Sequence, residues 1–142
     1  TREQIDYLEE PDMFHDIFGH IPLLLNSTFS KFAQAFGKLG QQNKGDEEML
    51  IRLQRIYWFT IEFGLIKEKG ELKVYGAGIA SSFGETNHVF EPTLTHLKYT
   101  IEDVMECEFD TDIIQEKYFV IESLDELYNS LNKLTVKLKK TA

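Results

Sequence analysis

The stretch Glu10-Pro11-Asp12-Met13-Phe14-His15-Asp16-Ile17-Phe18-Gly19-His20 sets two imidazoles five positions apart. Neutral imidazole is a ligand for iron, zinc and copper. On an unbroken α-helix, however, residues five apart point about 140° away from each other, too far to share an ion. The i, i+4 spacing of a zincin helix is absent, and so is its Glu beside the first His. Gly19 offers a way round: as a C-terminal cap it would end the helix, and His20 beyond it could swing back towards His15. The competing reading is two histidines bonded to backbone or solvent at a helix end, and both stand on the residues alone.

A second stretch, Tyr57-Trp58-Phe59-Thr60-Ile61-Glu62-Phe63-Gly64, places one carboxylate in otherwise apolar surroundings. An ionised Glu62 there is costly unless a cation, a metal or several donors compensate it. Arg55 or Arg52 could do so. Two imidazoles and this carboxylate would instead form the facial triad of non-haem Fe(II) oxygenases, and a zinc site with the same ligands is chemically possible. In the third stretch, Tyr75-Gly76-Ala77-Gly78-Ile79-Ala80-Ser81-Ser82-Phe83-Gly84-Glu85, glycines permit close backbone approach and a serine could orient a ligating imidazole. It is no phosphate loop, since it lacks the lysine and the strand-to-helix glycine register. A structural turn is its other reading.

The elements that must position these groups are mostly helical. Pro11 and its acidic neighbours mark a helix start, with the helix expected to stop at Phe18. Asn26 or Ser27 caps a second helix with Phe29, Phe32, Ala33, Phe36 and Leu39 on one face. After a polar loop over 40–45, Asp46 caps a third, whose Met49, Leu50, Leu53, Ile56 and Tyr57 share a face. Over 56–65 it turns apolar nearly all round, as a helix sunk in a core does. Residues 67–71 read as a turn between short strands ending near Ile66 and Tyr75. The spacing predicts a helix over 95–107, a strand over 116–121, and a last helix from a Ser123/Glu126 capping box to about Leu138. The fold class is therefore mainly α, α+β with a few short strands, in one domain over 1–142.

Composition narrows the function classes. A hydrophobic fraction of 42% with 11 Phe and 6 Tyr supports a real core and rules out intrinsic disorder. With 15 basic against 24 acidic side chains the net charge is -9, which disfavours nucleic acid and anionic lipid as partners. No apolar run approaches the ~20 residues of a membrane span. The single Cys107 excludes an intrachain disulfide and points to a reducing compartment, so the expected location is cytoplasmic. His88 and His96 read as ordinary surface or loop histidines, and 137–140 as a solvated basic helix end. Nothing in the residues decides between a monomer and a weak oligomer. The chain opens on Thr1 without methionine just before its busiest helix, and is expected to be part of a longer protein.

Taken together and in order, the three stretches closely resemble the pterin-dependent aromatic amino acid hydroxylases, most of all their bacterial phenylalanine-hydroxylating members. The resemblance covers about residues 7–123. It implies a hydroxylase catalytic domain, incomplete on its N-terminal side, that uses Fe(II), O2 and a tetrahydropterin like tetrahydrobiopterin to oxygenate the ring of phenylalanine. By the same resemblance His15, His20 and Glu62 fall on the iron ligands, and Tyr57 on a tyrosine beside the iron. Trp58, Phe63, Gly78 and Ser81 fall on the substrate side, with Ser81 also placed to bond the His15 ring. Asp16 falls where an acidic residue reaches the pterin through water. Val120 sits where phenylalanine hydroxylases are apolar and tyrosine hydroxylases carry Asp. The family's pterin-stacking loop and its carboxylate-binding arginine would lie before Thr1, and Arg2 does not match the latter. Two further readings are a tryptophan or tyrosine hydroxylase of the same family, and a metal-binding fragment that is catalytically incomplete.

Overall fold

The computed structural model describes residues 12–141, so the expected helix start at Glu10-Pro11 lies outside the described residues, as does Arg2. Asp12 opens the first described turn, its carboxylate accepting from the His15 N–H at 2.9 Å. The helix does not stop at Phe18. It widens into a π-helix, π1 (His15–His20), and runs straight on into α1 (Ile21–Leu24). Gly19 is therefore not a cap. It lies inside the helix, where a Cβ would come within 2.8 Å of Ala77 Cβ, so its role is close packing.

Two long helices follow. In α2 (Ser27–Gln42) the Asn26 side chain caps Thr28 and Phe29, and in α3 (Glu47–Tyr57) Asp46 caps Met49, both as expected. At Trp58 the third helix also widens, into π2 (Trp58–Glu62). Within it the Thr60 hydroxyl donates to Ile56 O at 2.5 Å, a back-bond to the preceding turn that accompanies bending of helices. Phe63 N–H then reaches five residues back to Trp58 O at 2.8 Å.

Strands β1 (Leu65–Glu68) and β2 (Glu71–Val74) form a hairpin whose turn is only Lys69-Gly70, both with positive φ (53° and 85°). The glycine-rich stretch is more regular than expected, forming short helices α4 (Ala77–Ser81) and α5 (Phe83–His88). The helix expected over 95–107 is corrected. Its first part is a strand, β3 (His96–Lys98), and only after Thr100 caps Asp103 does α6 (Ile101–Glu106) begin. The strand owes its existence to parallel pairing with the distant β4 (Tyr118–Ile121). The chain ends in α7 (Leu124–Thr141), with Ser123 capping Glu126 N–H and the Glu126 carboxylate returning to Glu122 N–H.

The four strands make one mixed sheet in the order β2-β1-β4-β3, with β1 and β3 both parallel to β4. The main core lies between α2, α3 and α7, through Phe29, Phe32, Leu39, Met49, Leu53, Ile56, Leu127 and Leu131. A smaller cluster of Phe63, Leu65, Ile79, Val89 and Tyr118 sits between the sheet and the α4–α5 stretch, with Trp58 and Val120 packed against it. Two packing layers thus meet at π2, the segment that carries Glu62.

Candidate metal centre

The π-winding resolves the spacing problem. Bonds from i to i+5 bring residues five apart one turn above each other, where α-winding would separate them. His15 and His20 end with their Nε2 atoms 3.0 Å apart and their rings edge to face. Gly19 lets this turn lie against α4, and α4 carries Ser81 to the far side of the His15 ring.

Ser81 also decides which nitrogen of His15 bears the proton. Its hydroxyl donates to Ala77 O at 2.8 Å and lies 2.8 Å from His15 Nδ1. A hydroxyl has one proton, so towards the imidazole Ser81 can only accept; Nδ1 carries the hydrogen and Nε2 keeps its lone pair. That lone pair faces His20 Nε2 and the Glu62 carboxylate, whose oxygens lie 3.5 Å from His15 Nε2 and 3.2 Å from His20 Nε2. For ligand atoms about 2.1 Å from a common ion, right-angle geometry separates them by about 3.0 Å and tetrahedral geometry by about 3.4 Å. The three donors therefore form a tripod of the size a metal needs, and the donor set is two imidazoles and one carboxylate.

The arginine alternative for Glu62 does not hold in the structure. Arg52 pairs with Glu48 and Glu106, while Arg55 donates to Met105 O and faces Glu108. Glu62 is only 8% exposed, and its polar surroundings are the two histidines and the Tyr57 hydroxyl. Burial, then the charge and hydrogen bond of Glu62, and lastly Asp16, hold the Tyr57 proton well above its ordinary range. Asp16, exposed on π1, offers a carboxylate oxygen within 4.8 Å of the ring nitrogens of His15 and His20.

Beside the tripod is an aromatic wall. Trp58 and Phe63 lie 4.6 Å apart, tilted by 34°. Phe63 presses on Gly78 so closely that a Cβ there would meet its ring at 2.9 Å. Val120 on β4 pairs with Leu65 and belongs to the same cluster. All ten residues expected at the site thus gather around π1, π2, α4 and the start of the sheet.

Sequence reasoning missed three participants. Phe109 stacks on Trp58 at 4.6 Å and 15°. Gln115 accepts from the Trp58 indole N–H at 2.9 Å. Glu85, quoted only as the end of a motif, is fully buried beneath Gln115. Neither Phe109 nor Gln115 lies in a periodic element, so no pattern announced them. His88 and His96 stay outside the tripod, bonded to Glu91 and to Val89 O.

The sequence pattern of the biopterin-dependent aromatic amino acid hydroxylases matches residues 2–142. The chain belongs to that family. Among its hydroxylase relatives, the phenylalanine-4-hydroxylase of Vibrio cholerae is 41% identical over 128 residues, 89% of this chain and 44% of its own length. The tyrosine 3-monooxygenase of Schistosoma mansoni is 40% identical over 123 residues. Phenylalanine hydroxylase from Chromobacterium violaceum, solved bound to cobalt, superposes with a TM-score of 0.85 at 39% identity, covering 91% of this chain and 47% of that one. The structure of the same bacterial enzyme with bound iron(III) and 7,8-dihydrobiopterin superposes at 0.84. The chain spans less than half the length of the Vibrio hydroxylase.

Proposed function

We propose that this chain supplies the metal-holding and ring-gripping part of a phenylalanine 4-hydroxylase, a monooxygenase acting in phenylalanine catabolism. The observation that carries the reading is the tripod of His15 Nε2, His20 Nε2 and the Glu62 carboxylate. The two nitrogens lie 3.0 Å apart, one carboxylate oxygen lies 3.5 Å from His15 and the other 3.2 Å from His20, and Ser81 holds one lone pair inward. Bound there, Fe(II) together with a tetrahydropterin would supply the activation of O2 and delivery of one oxygen atom to the aromatic ring.

The chain's own residues do the positioning. His15 and His20 offer neutral nitrogens and Glu62 the one negative charge, which leaves a divalent ion partly uncompensated and able to attract further ligands. Tyr57 keeps its proton and can donate to Glu62, restraining that carboxylate. Trp58 and Phe63 suit a flat apolar ring, and Gly78 leaves room for the tip of the Phe63 ring. Val120 offers no hydrogen bond to a phenolic oxygen, which favours phenylalanine over tyrosine as substrate. To Asp16, exposed on π1 beside the two histidines, we assign the contact towards the pterin through water. The lone Cys107, and the absence among the described residues of a helix long and apolar enough to cross a membrane, agree with a cytoplasmic site of action.

A second reading is a piece that binds metal but is catalytically incomplete by itself. It is favoured by the short coverage of the relatives and by Met13, Phe14, Phe18, Ile21 and Leu25, exposed in a row beside the tripod. Anaerobic Fe(II) loading of the chain, with His15→Ala alongside, tests the common ground. One iron per chain, lost in the variant, is expected; no specific iron overturns the tripod reading. Turnover of phenylalanine by the loaded chain separates the two.

A further inference from the structure

Trp58 is the only tryptophan in the chain. Its indole is held on three sides: Phe109 stacks on one face, Phe63 leans on it at 4.6 Å, and its N–H donates to Gln115 Oε1. Gln115 comes from the irregular segment between α6 and β4, which would ordinarily be a poor platform for a precise contact. Here it is fastened at every polar atom of its side chain. Its Nε2 donates to Asp110 O at 2.7 Å and Ile113 O at 2.8 Å, while Oε1 takes the indole. Its backbone N–H donates to Glu85 Oε1 at 2.8 Å, and the other Glu85 oxygen accepts from Tyr118 OH. Gln115 is 4% exposed and Glu85 0%. A buried carboxylate is an expensive anchor, retained only when its donors are in place.

We infer that Gln115, clamped by Glu85, is a positioning residue that fixes the tilt of the Trp58 indole and so sets the pocket's selectivity among aromatic rings. The inference rests on the proposed role of Trp58 as a wall of the amino acid pocket. Without the bond to Gln115, the indole keeps its stacking partner but can slide and rotate on Phe109, and the wall that Phe63 and Trp58 make together is no longer one shape. Discrimination between phenylalanine and the larger tryptophan then falls, because a pocket rejects a wrong ring only as far as its walls refuse to move.

The single indole makes the test direct. In the 15N-labelled full chain, loaded with Zn(II) as a diamagnetic stand-in, the one indole N–H signal should exchange slowly with solvent and shift when phenylalanine is added. In Gln115→Met the signal should move and lose its protection. Phenylalanine affinity should fall about 3- to 10-fold, the worth of one buried hydrogen bond, with tryptophan affinity changed less. Glu85→Gln, which keeps the packing, should move every readout the same way by less, and carries the test if Gln115→Met does not fold. An indole that exchanges freely in the unmodified chain, or variants whose indole signal and ring preference match it, overturn the positioning role. An indole that behaves as expected but ignores phenylalanine instead overturns the pocket role of Trp58, and the selectivity claim with it.

Discussion

His15 shows how much of the centre depends on single atoms. On the residues alone the two histidines and Glu62 kept non-metal readings. The resemblance of the three stretches, taken in order, joined them as one ligand set, and the structure brings the three side chains together. The resemblance already set Ser81 against the His15 ring. What could not be read was which imidazole nitrogen faces inward, because that rests on the Ser81 hydroxyl spending its one proton on Ala77 O. Ser81→Ala should therefore weaken Fe(II) binding by about 10- to 100-fold although no ligand is touched, as loss of an orienting partner usually does. Glu62→Gln should weaken it further, since the ion then loses the only negative charge in the tripod. Anaerobic competition titration against a chelator of known affinity checks both, and an unchanged affinity in Glu62→Gln would remove that residue from the ligand set.

Elements that depend on local chemistry were legible: the caps at Asn26, Asp46 and Ser123, the amphipathic faces of α2 and α3, and the hairpin at Lys69-Gly70. Two features were not. Segment 95–107 looks helical by itself, yet His96, Leu97 and Lys98 pair with Tyr118, Phe119 and Val120, partners that no local window contains. The widened turns at His15–His20 and Trp58–Glu62 have no propensity signature either, although two histidines five apart were a clue that ordinary winding would not serve. Packing against the neighbouring segments holds these turns, and glycine permits it. Gly19→Ala would drive a methyl to 2.8 Å from Ala77 Cβ, and Gly76→Ala would put one 2.3 Å from the carbonyl oxygen of Glu62. Gly19→Ala should cost about 1–3 kcal/mol by overpacking and loosen metal binding. Gly76→Ala, which meets backbone, should cost more. Thermal melts with and without Fe(II) measure both effects.

The molecule as a whole carries buried groups whose ionisation opposes folding. Burial pushes Tyr99 up to about 12, and holds Tyr75 and Tyr118 well above the ordinary value of 10.0, helped at Tyr118 by its bond to Glu85. A phenol whose folded value is raised stabilises fully below the unfolded value and loses that contribution as pH rises through the folded one. Stability should hold to about pH 10 and fall steeply above it, with tyrosine ionisation and loss of helix coinciding in one titration. Glu85 follows the same sign lower down: burial raises it above 4.5, so its contribution is full at acid pH and declines as pH rises through the raised value. Glu85→Gln should flatten that part of the profile, which denaturant melts at several pH values would show.

Between His15 and His20 the residues Asp16 to Gly19 keep a phase. Rewound as an ordinary α-helix, the same sequence would turn the two imidazoles about 140° apart with every donor still present and every side chain intact. Damage to this centre need not be chemical. A change that favours tighter winding abolishes it by torsion alone, and a search for lost ligands would find none missing.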